Sequence, residues 1–207
     1  MHVLVVAKAP VAGQVKTRLC PPCAPEEAAL LAEAALCDTL EAAVGVGADR
    51  CVLALAGRPG PWLPAGVEVI AQRGDGLAER LAAAWADAGG PGVQVGMDTP
   101  QVTGTVLAQA LDALDSADAA LGLAEDGGWW AMGLRRPSPL VFRGIAMSAP
   151  TTGAAQRRRL GQLGFRVADL PVLRDVDDFA DAVAVAEAAP DTRFARQLDA
   201  LGVGARS

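Results

Sequence analysis

Short apolar runs of strand length alternate along this chain with longer stretches in which apolar residues recur at helical spacing. His2 to Ala7 reads as a buried strand, and Pro25 to Val44 as a helix carrying a proline and two glutamates in its first turn. Arg50 to Ala56 and Val67 to Ala71 are short apolar strands on either side of the turn-rich Gly57 to Gly66. Leu77 to Ala88 is predicted helical, Val93 to Met97 a strand, and Val102 to Leu114 a helix for which Thr103 is the better-placed N-cap. Ala117 to Leu123 and Trp130 to Leu134 are further strands, followed by a helix over Gly153 to Leu163 and a strand over Phe165 to Leu170. From Val176 onward the pattern is helical, broken at Pro190.

Strands alternating with helices of this length call for right-handed crossovers and a mostly parallel sheet covered on both faces. The expected fold class is therefore α/β, a single Rossmann-like three-layer domain over residues 1–207, with a motif-bearing part at 1–182 and a helical tail at 183–207. Sheets of this kind bind ligands beyond the carboxyl ends of their strands, which directs attention to the loops after the first, third and fourth strands. No repeat, low-complexity tract or linker divides the chain.

Composition narrows the picture further. With 52% hydrophobic and 20% charged residues the chain has the material for a core and too little charge for disorder. Gly, Pro or a charge interrupts every apolar stretch before it reaches membrane-spanning length, and Met1 to Ala7 lacks the basic flank of a secretion signal, so a cytoplasmic protein with no membrane partner is expected. A net charge of -6 argues against nucleic acid as a partner. The only two lysines, Lys8 and Lys16, both follow the first strand. Cys20 and Cys23 have C-x-x-C spacing, but Cys37 and Cys51 do not repeat it and His2 is the sole histidine, so structural thiols are expected rather than zinc.

Three segments are dense in chemistry. The loop from Lys8 to Leu19 gathers Lys8, Lys16 and Arg18 among free backbone amides, a setting for a polyphosphate, although it is not a Walker A motif and an ordinary solvated loop has the same look. Gly96-Met97-Asp98-Thr99-Pro100 closes the fourth strand, where Asp98 can present a carboxylate to a metal bridging phosphates. In Glu125-Asp126-Gly127-Gly128-Trp129-Trp130, two carboxylates and two glycines precede an aromatic pair, of which Trp130 suits the core and Trp129 a ligand wall. Two further segments are less pointed: Gln72 to Arg80 can close over a base or ribose, and Asp175 with Asp177 either joins Asp98 on a metal or caps the last helices.

Taken in order, Lys8-x-Pro10-x-x-Gly13-x-x-Lys16-Thr17-Arg18-Leu19, Gly96-x-Asp98-x-Pro100, Glu125-Asp126-Gly127-Gly128 and Asp175-Val176-Asp177 resemble the glycosyltransferase-A-like proteins of unknown function, relatives of the 2-phospho-L-lactate guanylyltransferases. The resemblance runs from residue 1 to about residue 182 and implies the nucleotide-diphospho-sugar transferase fold. It implies that Ala7, Lys8, Pro10, Gly13, Lys16, Arg18, Gln72, Gly74, Glu79 and Arg80 hold a nucleotide. It further implies that Asp98, Asp175 and Asp177 hold Mg²⁺ or Mn²⁺, and that Asp126, Gly127, Gly128, Trp129 and Ser148 face an acceptor. The family's double tyrosine is Trp129-Trp130 here, and its Trp-Ser-Thr-Pro segment is Met147-Ser148-Ala149-Pro150; both departures fall on the acceptor side.

The expected activity is metal-dependent nucleotidyl transfer from a nucleoside triphosphate to a small phosphorylated acceptor, with Lys16, Arg18, Asp98 and Asp126 as the catalytic set. Glycosyl transfer from a nucleotide sugar to a small-molecule acceptor is the alternative, with Asp126 as base, and a non-catalytic nucleotide-binding protein the second. A monomer or homodimer is expected, with the Lys16 side chain in a solvated loop.

Overall fold

The computed structural model describes residues 1–203. Residues 204–207, the end of the expected helical tail, lie outside the described residues.

Seven strands, β1 (His2–Lys8), β2 (Arg50–Ala56), β3 (Val67–Ala71), β4 (Gly92–Gly96), β5 (Ala119–Leu123), β6 (Trp129–Leu134) and β7 (Val167–Asp169), form one sheet in the order β3-β2-β1-β4-β6-β5-β7. Six helices accompany them: α1 (Pro25–Gly45), α2 (Leu77–Ala88), α3 (Gly104–Asp112), α4 (Thr152–Gln162), α5 (Phe179–Ala188) and α6 (Arg193–Leu201). Side chains alternate across the sheet, so Val3 and Val5 join the core under α1 and α3 while Leu4 joins the core under α2 and α4. A third apolar cluster packs α5 and α6 against the outer side of α1.

Most expected elements lie within two residues of their observed bounds, and two differences are informative. The helix foreseen to Leu114 ends at Asp112 and tightens into a 3-10 turn over Ala113–Asp115. Thr103 does cap α3, its side chain accepting a hydrogen bond from the Val106 amide at 3.3 Å. The second difference is direction: β6 runs antiparallel to both β4 and β5. Only five residues, Ala124 to Gly128, join β5 to β6, far too few for the crossover a parallel pair needs.

That reversal positions the site. Because β6 runs backwards, its first residue, Trp129, and the turn preceding it stand beside the carboxyl end of β4, from which Asp98 projects. The chain then returns from β7 along the same turn: Glu125 N–H donates to the Leu173 carbonyl at 3.0 Å and Val176 N–H to the Asp98 carbonyl at 2.8 Å. Asp178 caps α5, accepting from Asp181 N–H at 3.0 Å. Capping therefore falls to Asp178, and Asp175 and Asp177 are left to the cleft.

Candidate active site

Two clefts open at the carboxyl ends of β1 and β4 and share the wall formed by Val6, Arg18, Leu77, Asp98 and Asp177. The smaller, about 330 Å³, is a basic lobe bordered by Lys8, Lys16, Arg18 and Arg80, together with Ala7 and Gln72. The larger, about 470 Å³, is bordered by Asp98, Asp126, Asp175, Asp177, Gly128, Trp129, Trp130, Met147 and Ser148. Sequence-predicted nucleotide and acceptor residues thus separate into adjoining lobes, with Asp98 and Asp177 at the seam.

In the basic lobe the loop after β1 does something unforeseen with Lys16. Its side chain is 10% exposed rather than solvated, ion-paired with Asp98 and hydrogen-bonded to the Val176 carbonyl. The expectation of a free loop lysine is corrected: its partners, 82 and 160 residues away in sequence, arrive only with the fold. Lys16 and Ser148 are the two non-glycine residues with positive φ among the described residues, 48° and 58°, and both border a cleft. Sparsely populated backbone of this kind persists where the surroundings determine it, and it clusters at working sites. Arg18 reaches out to Asp177 at 2.9 Å and stays largely exposed.

Other predicted nucleotide residues brace the loops, whether or not they also border the cleft. Gln72 Nε2 donates to the carbonyls of Ala7 at 2.8 Å and Ala54 at 2.9 Å, tying the ends of β1 and β2 together. Glu79 accepts from the Asp75 amide at 3.0 Å, and Arg80 Nε donates to the Gly74 carbonyl at 3.1 Å. A Cβ on Gly74 would stand 2.8 Å from that of Glu79, so the glycine permits this tight turn. Pro10, Gly13, Gly74 and Glu79 form no part of the cleft walls.

In the larger lobe Asp126 folds back on its own turn, Oδ1 accepting from Gly128 N–H at 2.7 Å. Gly127 does not border the cleft; it lets the turn meet the 147–150 segment, since a Cβ there would fall 2.0 Å from the Pro150 carbonyl oxygen. Trp130 is core, as expected, with its indole N–H on the Pro171 carbonyl at 2.9 Å, while Trp129 is half-buried and walls the lobe. Sequence reasoning missed Gln94 and Thr99, both buried polar residues on this lobe's wall. Gln94 had a readable signal, as a polar residue between two valines in a buried strand.

The carboxylates are not yet grouped as ligands. Asp98 faces Lys16 and Asp177 faces Arg18, and among the described residues no three His, Cys, Asp or Glu side chains form a group able to hold a metal. The donor chemistry nonetheless suits a hard divalent cation: Asp175 Oδ1 is buried without a hydrogen-bond partner. Burial, followed by the charges of Asp98, Asp126 and Asp177, pushes the Asp175 carboxyl up to about 7, partly offset by Lys16. Cys20 is half-buried, and Cys23 belongs to the cluster under α5 and α6.

Sheet order, the reversed β6 and the twin clefts together define the nucleotide-diphospho-sugar transferase fold. Residues 30–149 match the DUF2064 family, described as an uncharacterized protein conserved in bacteria, and the chain belongs to that family. A protein of Desulfovibrio desulfuricans G20, assigned provisionally as a nucleotide-diphospho-sugar transferase, superposes with a TM-score of 0.84 at 25% identity, covering 96% of this chain and 95% of its own. Rv0371c of Mycobacterium tuberculosis H37Rv, in a complex with manganese, gives 0.54 at 21% identity over 90% and 98%. The 2-C-methyl-D-erythritol 4-phosphate cytidylyltransferase of Thermus thermophilus gives 0.57 at 18% identity over 92% and 100%. A search of curated proteins finds no match. No described helix is long and apolar enough to cross a membrane.

Proposed function

We propose that this chain is a metal-dependent transferase that holds a nucleotide polyphosphate in the basic lobe and passes a group across the seam to an acceptor in the larger lobe. The observation that carries this reading is the meeting of a four-cation cleft and an acidic, aromatic cleft at Asp98, Asp177 and Arg18. Lys8, Lys16, Arg18 and Arg80 bind and orient the phosphates; little covalent work is needed, because in-line positioning and charge neutralisation supply most of the catalysis at phosphorus. Asp98, Asp175 and Asp177 would hold a divalent ion, whose contribution is to offset charge developing on the departing phosphate.

The density of cations favours a nucleoside triphosphate and nucleotidyl transfer with release of pyrophosphate. Glycosyl transfer from a nucleotide sugar uses the same grip, and one observation favours it: Asp126 stands in the acceptor lobe, where a base for a hydroxyl is required. A thermal-shift panel of nucleoside triphosphates and nucleotide sugars, each with and without Mg²⁺ and Mn²⁺, tests the reading, since a ligand of the native state raises its stability by mass action. Metal-dependent stabilisation by one donor class supports it and selects the reaction. No stabilisation by any of them would refute it.

A further inference from the structure

The larger lobe has an electrostatic character that limits what can enter. Its wall includes four carboxylates, Asp98, Asp126, Asp175 and Asp177, and one cation, Arg18, which is engaged by Asp177 at 2.9 Å. With Arg18 turned to the donor phosphates and Asp98, Asp175 and Asp177 to the divalent ion, Asp126 keeps an uncompensated charge, and among the described residues no further cationic side chain borders the lobe to receive a phosphate on the acceptor. Much of the remaining wall is apolar, with Leu77, Leu81, Trp129 and Met147 facing the same space.

Gln94 adds a specific recognition group. It is 2% exposed, yet it borders the lobe. Its Oε1 accepts from the Trp85 indole at 2.8 Å, and because an indole N–H can only donate, this contact fixes which end of the amide is which. The nitrogen end, with two hydrogens, is what the residue has left to offer a ligand. At the other side of the lobe, Asp126 commits Oδ1 to the Gly128 amide and keeps Oδ2 for a proton.

We infer that the larger lobe takes an uncharged, hydroxyl-bearing acceptor with a ring or apolar face, which lies against Trp129, accepts a hydrogen bond from Gln94 and turns a hydroxyl to Asp126. This rests on the reading that the basic lobe holds the donor, and it replaces the phosphorylated acceptor expected from sequence. In the transfer step the acceptor oxygen forms a bond to the migrating group as that group's bond to the donor phosphate oxygen breaks. The bonding pair leaves with the phosphate, and the hydroxyl proton passes to Asp126.

Calorimetric titration of the full chain in Mg²⁺ with matched probes tests this: glycerol, methyl glucoside and inositol against glycerol 3-phosphate, glucose 6-phosphate and inositol phosphate. The neutral member of at least one pair is expected to bind about tenfold more tightly than its phosphorylated partner. Gln94→Glu keeps an acceptor for Trp85 but removes both amide donors, and it should abolish that binding in a protein that still melts cooperatively, at a lower temperature because the new carboxylate is buried; Asp126→Lys should reverse the preference within the pair. Equal or tighter binding of the phosphorylated probes, no binding of any neutral probe, or neutral binding unchanged in Gln94→Glu would overturn the assignment. A neutral preference in a protein that no nucleotide stabilises would instead sink the donor reading and leave the acceptor lobe as assigned.

Discussion

The two lobes rest on the same row of strand ends and are made of opposite material. One is cationic and comes chiefly from the first eighty residues; the other is acidic and aromatic, with much of its wall supplied by residues after Gly96. In the basic lobe Lys16 is enclosed by a carboxylate and a carbonyl contributed from far along the chain. In the acidic lobe Asp175 has a buried oxygen that nothing satisfies. The basic half thus takes its counter-charge from the other, the acidic half keeps a polar atom unmet, and the seam at Asp98 is where the two join.

If that seam is the centre of the chemistry, Asp98→Asn should have the largest effect, cutting metal-dependent turnover by at least about 100-fold, the loss typical when one group stabilising a transition state is removed. Circular dichroism should change little, while melting should fall modestly, because asparagine still offers Lys16 an oxygen but no longer a counter-charge. Near wild-type kcat in this variant would break the assignment of the seam. Lys16→Met comes next: nucleotide affinity should fall about tenfold or more, and stability by about 1–3 kcal/mol because Asp98 and the Val176 carbonyl lose their shared partner. An unchanged nucleotide Kd in a destabilised protein would make Lys16 a purely structural residue.

Trp129→Ala should leave nucleotide affinity alone and raise the acceptor KM by about fivefold to tenfold, as expected for losing one aromatic face. A matching loss in nucleotide affinity would show that the lobes are not separate. Asp75→Asn, on the exposed loop after β3 and outside both clefts, should change neither constant.

A smaller effect concerns pH. His2 lies edge-on to Trp85, ring centroids 5.5 Å apart, and burial followed by the charge of Arg50 lowers it from 6.5 to about 4. The unfolded chain therefore takes up this proton first, so the stability contributed by neutral His2 is complete above pH 6.5 and declines as pH falls toward 4. Asp175, raised rather than lowered, acts in the opposite sense as pH rises toward 7. Subtracting the pH–melting curve of His2→Gln from that of the wild type isolates the histidine, since both proteins contain Asp175. A flat difference between pH 6.5 and 4 would show that His2 is not buried as a neutral ring.

The alternation of elements was legible because each depends on residues within one turn or one strand: the caps, the glycines and the period of the apolar positions. That Asp98, the Asp126 turn and Trp129 border a cleft was legible because strand ends in such sheets open onto one, and polar residues there stand out. What depends on distant partners was not. Nothing near Lys16 announces Asp98 or Val176, and nothing near Gln72 announces the two carbonyls it bridges. The reversal of β6 lies between these cases, since the five-residue connection after β5 already excluded a parallel pairing.

The strand of chain from Leu173 to Asp177 touches the turn at Glu125, the carbonyl of Asp98 and the ammonium of Lys16. Ribosomal synthesis proceeds from the amino end, and contacts of such sequence separation form only after their last member has emerged. The sheet strands β1 to β6 can begin to assemble during translation, but the cleft has no back wall until residue 177 clears the exit tunnel. A growing chain would thus carry the loop after β1 without the partner that Val176 gives Lys16, and without Asp175 and Asp177 on the cleft wall, until that one segment emerges, so the cleft would be completed in a single late step rather than strand by strand.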